Sequence, residues 1–87
     1  MKKLTRNDFV TKKVGDIPYL SFQGKNCEIC IESGFGCIDI AVYDLKQDLL
    51  EPKITLGKPG NSVMCYVGIF KEVERITNNF YKKWELI

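Results

Sequence analysis

Two stretches near the middle of the chain alternate between apolar and polar residues. In the first, Cys27, Ile29 and Ile31 fall on one face, and Glu28, Cys30 and Glu32 on the other. In the second, Ile38, Ile40 and Val42 point one way, and Cys37, Asp39, Ala41 and Tyr43 the other. A period of two is the mark of a strand with one covered face. The connection Ser33-Gly34-Phe35-Gly36 is short and rich in glycine, so the pair predicts a β-hairpin. Ile17 to Phe22 adds a strand in which Tyr19, Leu20 and Phe22 are strand formers. Pro18 near its start donates no N–H and points to an edge position. Gly24-Lys25-Asn26 closes that strand, and Lys53 to Leu56 supplies a short one before the turn Gly57-Lys58-Pro59-Gly60. Residues 1–14 fit neither period. They read as a basic arm, with a turn or an edge strand around Phe9 to Lys13, or as a frayed terminus.

Downstream the period changes. Val63, Tyr66, Val67, Phe70, Val73, Thr77, Phe80 and Trp84 recur at intervals of three and four, which predicts a helix over 62–84. Asn61 or Ser62 can cap its start, and Lys82 and Lys83 suit the negative end of its dipole. A second arrangement makes 62–67 a strand and starts the helix near Ile69. At 87 residues the chain is a single domain. The expected fold class is α+β, a small antiparallel sheet of three to five strands over 17–56 with a long C-terminal helix packed on it.

Charge changes this picture. The net charge is only +2, but residues 1–27 carry six basic and two acidic groups, and residues 28–51 carry six acidic groups and one lysine. Residues 52–87 return to six basic and three acidic. An acidic middle between basic ends points to a charged interaction face more than to general nucleic-acid affinity. Glu28, Glu32, Asp39 and Tyr43 share the face opposite the isoleucines, and Asp44, Asp48 and Glu51 follow at once. Ordered carboxylates of this kind can occupy a basic groove, and the plain alternative is a solvated sheet face.

The four cysteines are the other candidate chemistry. Cys27, Cys30, Cys37 and Cys65 follow the spacing Cys-x2-Cys-x6-Cys-x27-Cys, and histidine is absent. Four sulfurs suggest an all-thiolate structural zinc site, worth about 10–16 kcal/mol of apparent binding energy. The competing readings are four buried thiols acting as small hydrophobes, and redox or disulfide chemistry. An unbroken strand over 26–32 would send Cys27 and Cys30 to opposite faces. Without histidine the commonest general base is missing, and neither Gly34-Phe35-Gly36 nor Gly57-Lys58-Pro59-Gly60 precedes a helix in a phosphate-binding frame, so no enzyme is expected. The start of the chain lacks an apolar segment of the signal type, and the run from Val63 to Val67 is too short to cross a bilayer. A cytoplasmic protein with reduced thiols is the expectation.

Size, composition and the set Cys27, Cys30, Cys37 and Cys65 resemble those of small lysine- and asparagine-rich proteins from phages of low-GC Gram-positive bacteria. Among these the chain is similar to the type II-A anti-CRISPR proteins, and specifically to a zinc-containing kind built from a sheet and helices. The resemblance implies a non-enzymatic inhibitor in the host cytoplasm. It would bind the RNA-guided DNA nuclease of the host and block guide or target loading, with Zn2+ as a structural cofactor and no direct nucleic-acid contact. Charge selects Glu28, Glu32, Asp39, Tyr43, Asp44 and Asp48 as the contact surface. The alternative is a small zinc module that binds nucleic acid through its basic ends, or an accessory phage protein.

Overall fold

The computed structural model describes residues 3–34, 36–57 and 66–86, with backbone only over 66–70. Five strands follow one another as β1 (Val10–Val14), β2 (Ile17–Gln23), β3 (Glu28–Gly34), β4 (Cys37–Tyr43) and β5 (Ile54–Gly57). They lie in the sheet in chain order, each antiparallel to the next. Helix α1 (Tyr66–Phe80) closes the chain and runs on into a π-helical turn, Tyr81–Glu85. The expected α+β architecture is therefore present with five strands. Of the predicted helix, residues 62–65 lie outside the described residues, as does Cys65.

The period-two reading of β3 and β4 sets their register. Ile29 stands opposite Val42, and Ile31 opposite Ile40. This row, with Cys27, packs under Ile76, Phe80 and Tyr81 of the helix. Fully burying a side chain of this size contributes roughly 1.5–3 kcal/mol, so the sheet and helix hold each other by this apolar layer. Phe22 links the parts through aromatic edges. Its ring centroid lies 6.1 Å from that of Phe9 and 5.6 Å from that of Tyr81, the latter in a T-shaped contact.

Residues 3–14 do more than trail from the domain. Leu4 is buried in the core, and Asn78 grips its backbone from both sides. Leu4 N–H donates to Asn78 Oδ1 at 2.8 Å, and Asn78 Nδ2 donates to Leu4 O at 3.2 Å. A 3₁₀ turn, Arg6–Asp8, then leads through buried Phe9 into β1, which forms one edge of the sheet. The edge expectation for β2 is corrected: β2 lies between β1 and β3. Pro18 is tolerated there because β2 pairs with β3 only from Leu20 onward, so no ladder bond to β3 is asked of it.

Candidate binding face

Register places Val10, Lys12, Val14, Ile17, Tyr19, Ser21, Gln23, Glu28, Cys30, Glu32, Cys37, Asp39, Ala41, Tyr43 and Thr55 on the face away from the helix. The acidic residues singled out from the sequence thus share a face, but they have different environments.

Glu28 is only 4% exposed and belongs to the interior of this face. Ser21 Oγ donates to its Oε2 at 2.6 Å, Gln47 Nε2 donates to its Oε1 at 3.0 Å, and Lys12 Nζ stands 3.5 Å away. Burial pushes its pKa up, yet the bonds from Ser21 and Gln47 and the charge of Lys12 outweigh burial and hold it below the usual carboxylate range. A buried carboxylate so fully bonded stays ionised and serves the fold. Gln47 reaches it from the loop after β4 with its own backbone at φ 69, in the left-handed region that favours glycine. That loop is shaped by Asp44, whose Oδ1 accepts the N–H of Lys46 at 2.8 Å and of Asp48 at 3.0 Å. Gln47 N–H in turn donates to Asp44 O at 3.0 Å.

Glu32 and Asp39 are cross-strand partners, side by side on the same face. Asp39 accepts the hydroxyl of Thr55, and Glu32 is exposed with no ion pair to a described residue. Like charges directly opposite each other destabilise a sheet. Tyr43 is half-buried, opposite Glu28, and Asp48 is exposed on the loop. Of the six residues chosen by charge, Glu32, Asp39, Tyr43 and Asp48 are open to a partner. Glu28 and Asp44 are engaged within the chain.

The cysteines separate. Cys27 faces the helix and belongs to the core. Cys30 lies on the opposite face, between Ser21 and Ala41. Burial, then the charge of Glu85, pushes the Cys27 thiol up to about 12. Burial, then the charge of Glu28, does the same to Cys30. Cys37 shares the face of Cys30 at the far end of the hairpin, opposite Gly34, and its thiol donates to Gly34 O at 3.2 Å. All three are free thiols. Cys27, just before β3, and Cys30, within it, thus lie on opposite sides of the sheet, and Cys65 lies outside the described residues. Among the described residues no three of the Cys, Asp and Glu side chains come together as metal ligands.

One site escaped the sequence reading. The π-helical turn, closed by Leu86 N–H to Tyr81 O at 3.1 Å, carries Glu85 to the loop between β2 and β3. There its carboxylate accepts three consecutive backbone N–H groups, those of Lys25, of Asn26 at 2.8 Å and of Cys27 at 3.2 Å. Asn26 Nδ2 also donates to Glu85 O at 2.8 Å. Burial raises the pKa of Glu85, but the N–H groups of Asn26 and Lys25 and the contacts with Cys27 leave it below the usual range. Gly24 matters to this closeness, since a Cβ there would lie 2.3 Å from Glu85 Oε2. Next to it, Trp84 Nε1 donates to Glu51 Oε2 at 2.8 Å, and Lys83 pairs with the same oxygen at 3.0 Å.

One cluster of basic residues lies beside the helix. Lys3, Lys71 and Arg75 line an open groove of about 460 Å³ with Glu74 and Asn78. Lys3 is paired with Glu74 at 2.6 Å and Arg75 with Glu72 at 2.7 Å, both as exposed surface pairs. Among the described residues, no helix is long and apolar enough to cross a membrane. Comparison with protein-family models, with curated proteins and with solved structures found no match.

Proposed function

We propose that this chain is a non-enzymatic protein that binds a basic protein surface through the open face of its sheet. The observation that carries this reading is the Glu32–Asp39 pair, two carboxylates set directly opposite each other at a cost to the sheet, with no cation of the described residues between them. A lysine or arginine from a partner relieves that repulsion on docking, so part of the strain of the free protein becomes affinity. Tyr43 and Asp48 extend the surface on one side. Groups of one sign arranged in this way favour fast association with a surface of the other sign.

The resemblance to type II-A anti-CRISPR proteins supplies the partner: the RNA-guided DNA nuclease of a low-GC Gram-positive host, whose nucleic-acid channel is basic. The acidic face would compete there for the place of guide or target, inside the host cytoplasm. A zinc ion is not needed for this reading.

The test mixes the purified chain with guide-loaded and guide-free type II-A nucleases and measures retention and DNA cleavage. Inhibition near one equivalent, lost with Glu32→Lys/Asp39→Lys, is the expected result. Unimpeded cleavage by every such nuclease, with none retained on the chain, removes the nuclease as target. A shift of duplex DNA by the chain alone at micromolar concentration and moderate salt would favour the nucleic-acid module instead.

A further inference from the structure

Strand β1 is an open sheet edge. It pairs with β2 on one side and with no described strand on the other, and all five of its residues are exposed. Natural edges are commonly blunted by proline, by a bulge, by extreme shortness or by lysine. Of these, β1 carries only Lys12 and Lys13, which repel a basic strand and leave the edge open to an acidic one. The opposite edge, β5, has four residues and follows Pro52. Strand β1 has no proline, and its register with β2 runs unbroken from Val10–Ser21 to Val14–Ile17.

The turn at its end fixes which backbone groups are free. Gly15 sits at φ 61 and Asp16 at negative φ, the pattern of a type II′ turn with glycine first. A two-residue turn makes Val14–Ile17 a hydrogen-bonded pair. Alternation along the antiparallel ladder then engages Lys12 and Val10 with β2 and turns the N–H and C=O of Thr11 and Lys13 outward. The edge also bears an apolar row. Val14 and Ile17, directly opposite each other, are each 66% exposed, and Val10 is 57% exposed.

We infer that β1 accepts an extended acidic segment of another protein as a sixth strand. Charge selects that occupant. Consecutive Lys12 and Lys13 put one cation on each face of the edge. Lys12 is paired with Glu28 at 3.5 Å, and Lys13 has no ion pair with a described residue. Lys13 is therefore the cation free for an incoming carboxylate, and Lys12 the one that carboxylate would share with Glu28. A second copy of β1 brought in antiparallel, about Lys12, would set Lys12 against its own counterpart, and like charges so placed are destabilising. An incoming strand with apolar residues beside Val10 and Val14, and carboxylates beside Lys12 and Lys13, meets every position of the row. Main-chain bonds to Thr11 and Lys13 supply affinity and the alternate side chains specificity. This surface is the main-chain edge of β1. It adjoins the acidic face proposed above, since Lys12 lies on that face and pairs with Glu28, but it carries the opposite charge and binds through backbone groups that face does not use.

The experiment uses the full chain, labelled with 15N. It is titrated with an eight-residue peptide of alternating valine and threonine interrupted by two adjacent glutamates, and with the same peptide carrying lysines. The expected result is selective shift and slowed hydrogen exchange of the Thr11 and Lys13 amides with the glutamate peptide, with the lysine peptide at least tenfold weaker. Thr11→Pro deletes an outward N–H without touching the bonds to β2, so it should leave the spectrum of the fold intact and abolish binding. Unmoved β1 amides at millimolar glutamate peptide would overturn the inference, as would equal binding of both peptides. Concentration-dependent dimers that Thr11→Pro dissolves would assign the edge to a second copy and overturn it equally.

Discussion

Glu85 accepts the backbone N–H of Asn26 at 2.8 Å across 59 residues of sequence, and so ties the last helical turn to the β2–β3 loop. Hydrogen bonds to a charged acceptor are the strong ones, and here three come from one loop. Replacing Glu85 by alanine should lower stability by about 2–3 kcal/mol, measured by urea denaturation at neutral pH. The pH dependence has a definite sign. The folded-state pKa lies below the ordinary 4.5, so the contribution is full above about pH 4.5 and fades as pH falls through the folded value. Between neutral pH and that acid range, stability of Glu85→Ala should fall less steeply than that of the parent.

Gly24→Ala should be destabilising by about 1–3 kcal/mol, because the new Cβ displaces a carboxylate that three N–H groups hold in place. In the Glu85→Ala background the same substitution should be nearly neutral. A double-mutant cycle by thermal denaturation measures this coupling, and additive effects would refute the contact as its cause.

At Gln47 two effects oppose each other. Glycine relieves the left-handed backbone, and any replacement gives up the amide bond to Glu28. Gln47→Gly should therefore be more stable than Gln47→Ala by about 1 kcal/mol. Glu28→Ala should cost about 1–3 kcal/mol, since it leaves the buried Ser21 hydroxyl without its acceptor and frees the exposed Gln47 amide to water. Chemical denaturation of the three variants checks the order.

Thiol chemistry should be uneven. Cys27 and Cys30, buried and pushed up to about 12, hold almost no thiolate at neutral pH. Cys37 is more accessible. Labelling the native protein with a maleimide and mapping by mass spectrometry should find Cys37 modified at least tenfold faster than Cys27 or Cys30. In urea the three rates should converge.

Charge reversal at Glu32 should separate stability from binding. Glu32→Lys turns a repulsive cross-strand pair with Asp39 into an attractive one, which should raise stability by about 0.2–1 kcal/mol. The same change should weaken attachment to a basic partner and make it less sensitive to salt. A variant both more stable and equally tight in binding would show that the face has no such role.

Alternation alone placed Ile29, Ile31, Ile38, Ile40 and Val42 on the covered side and Glu32 and Asp39 on the other, because successive side chains of a strand leave opposite faces. The helical spacing likewise located Val73, Thr77, Phe80 and Trp84 on the packed side, although it passed over buried Ile76. Pro18 misled because its meaning depends on where the neighbouring ladder begins, a property of β3 rather than of β2.

Local periodicity therefore determined the strands, the helix and the two faces, since each follows from the geometry of a few adjacent residues. Tertiary structure alone decided which members of a face are free. Glu28 and Glu32 look alike in the chain, two turns of the same alternation, yet Gln47 and Ser21 enclose one and nothing described pairs with the other. The seat of Glu85 among three N–H groups belongs to the same class. Partners 19 or 59 residues away leave no periodic trace, because the bonds form only after the apolar layer has brought sheet and helix together.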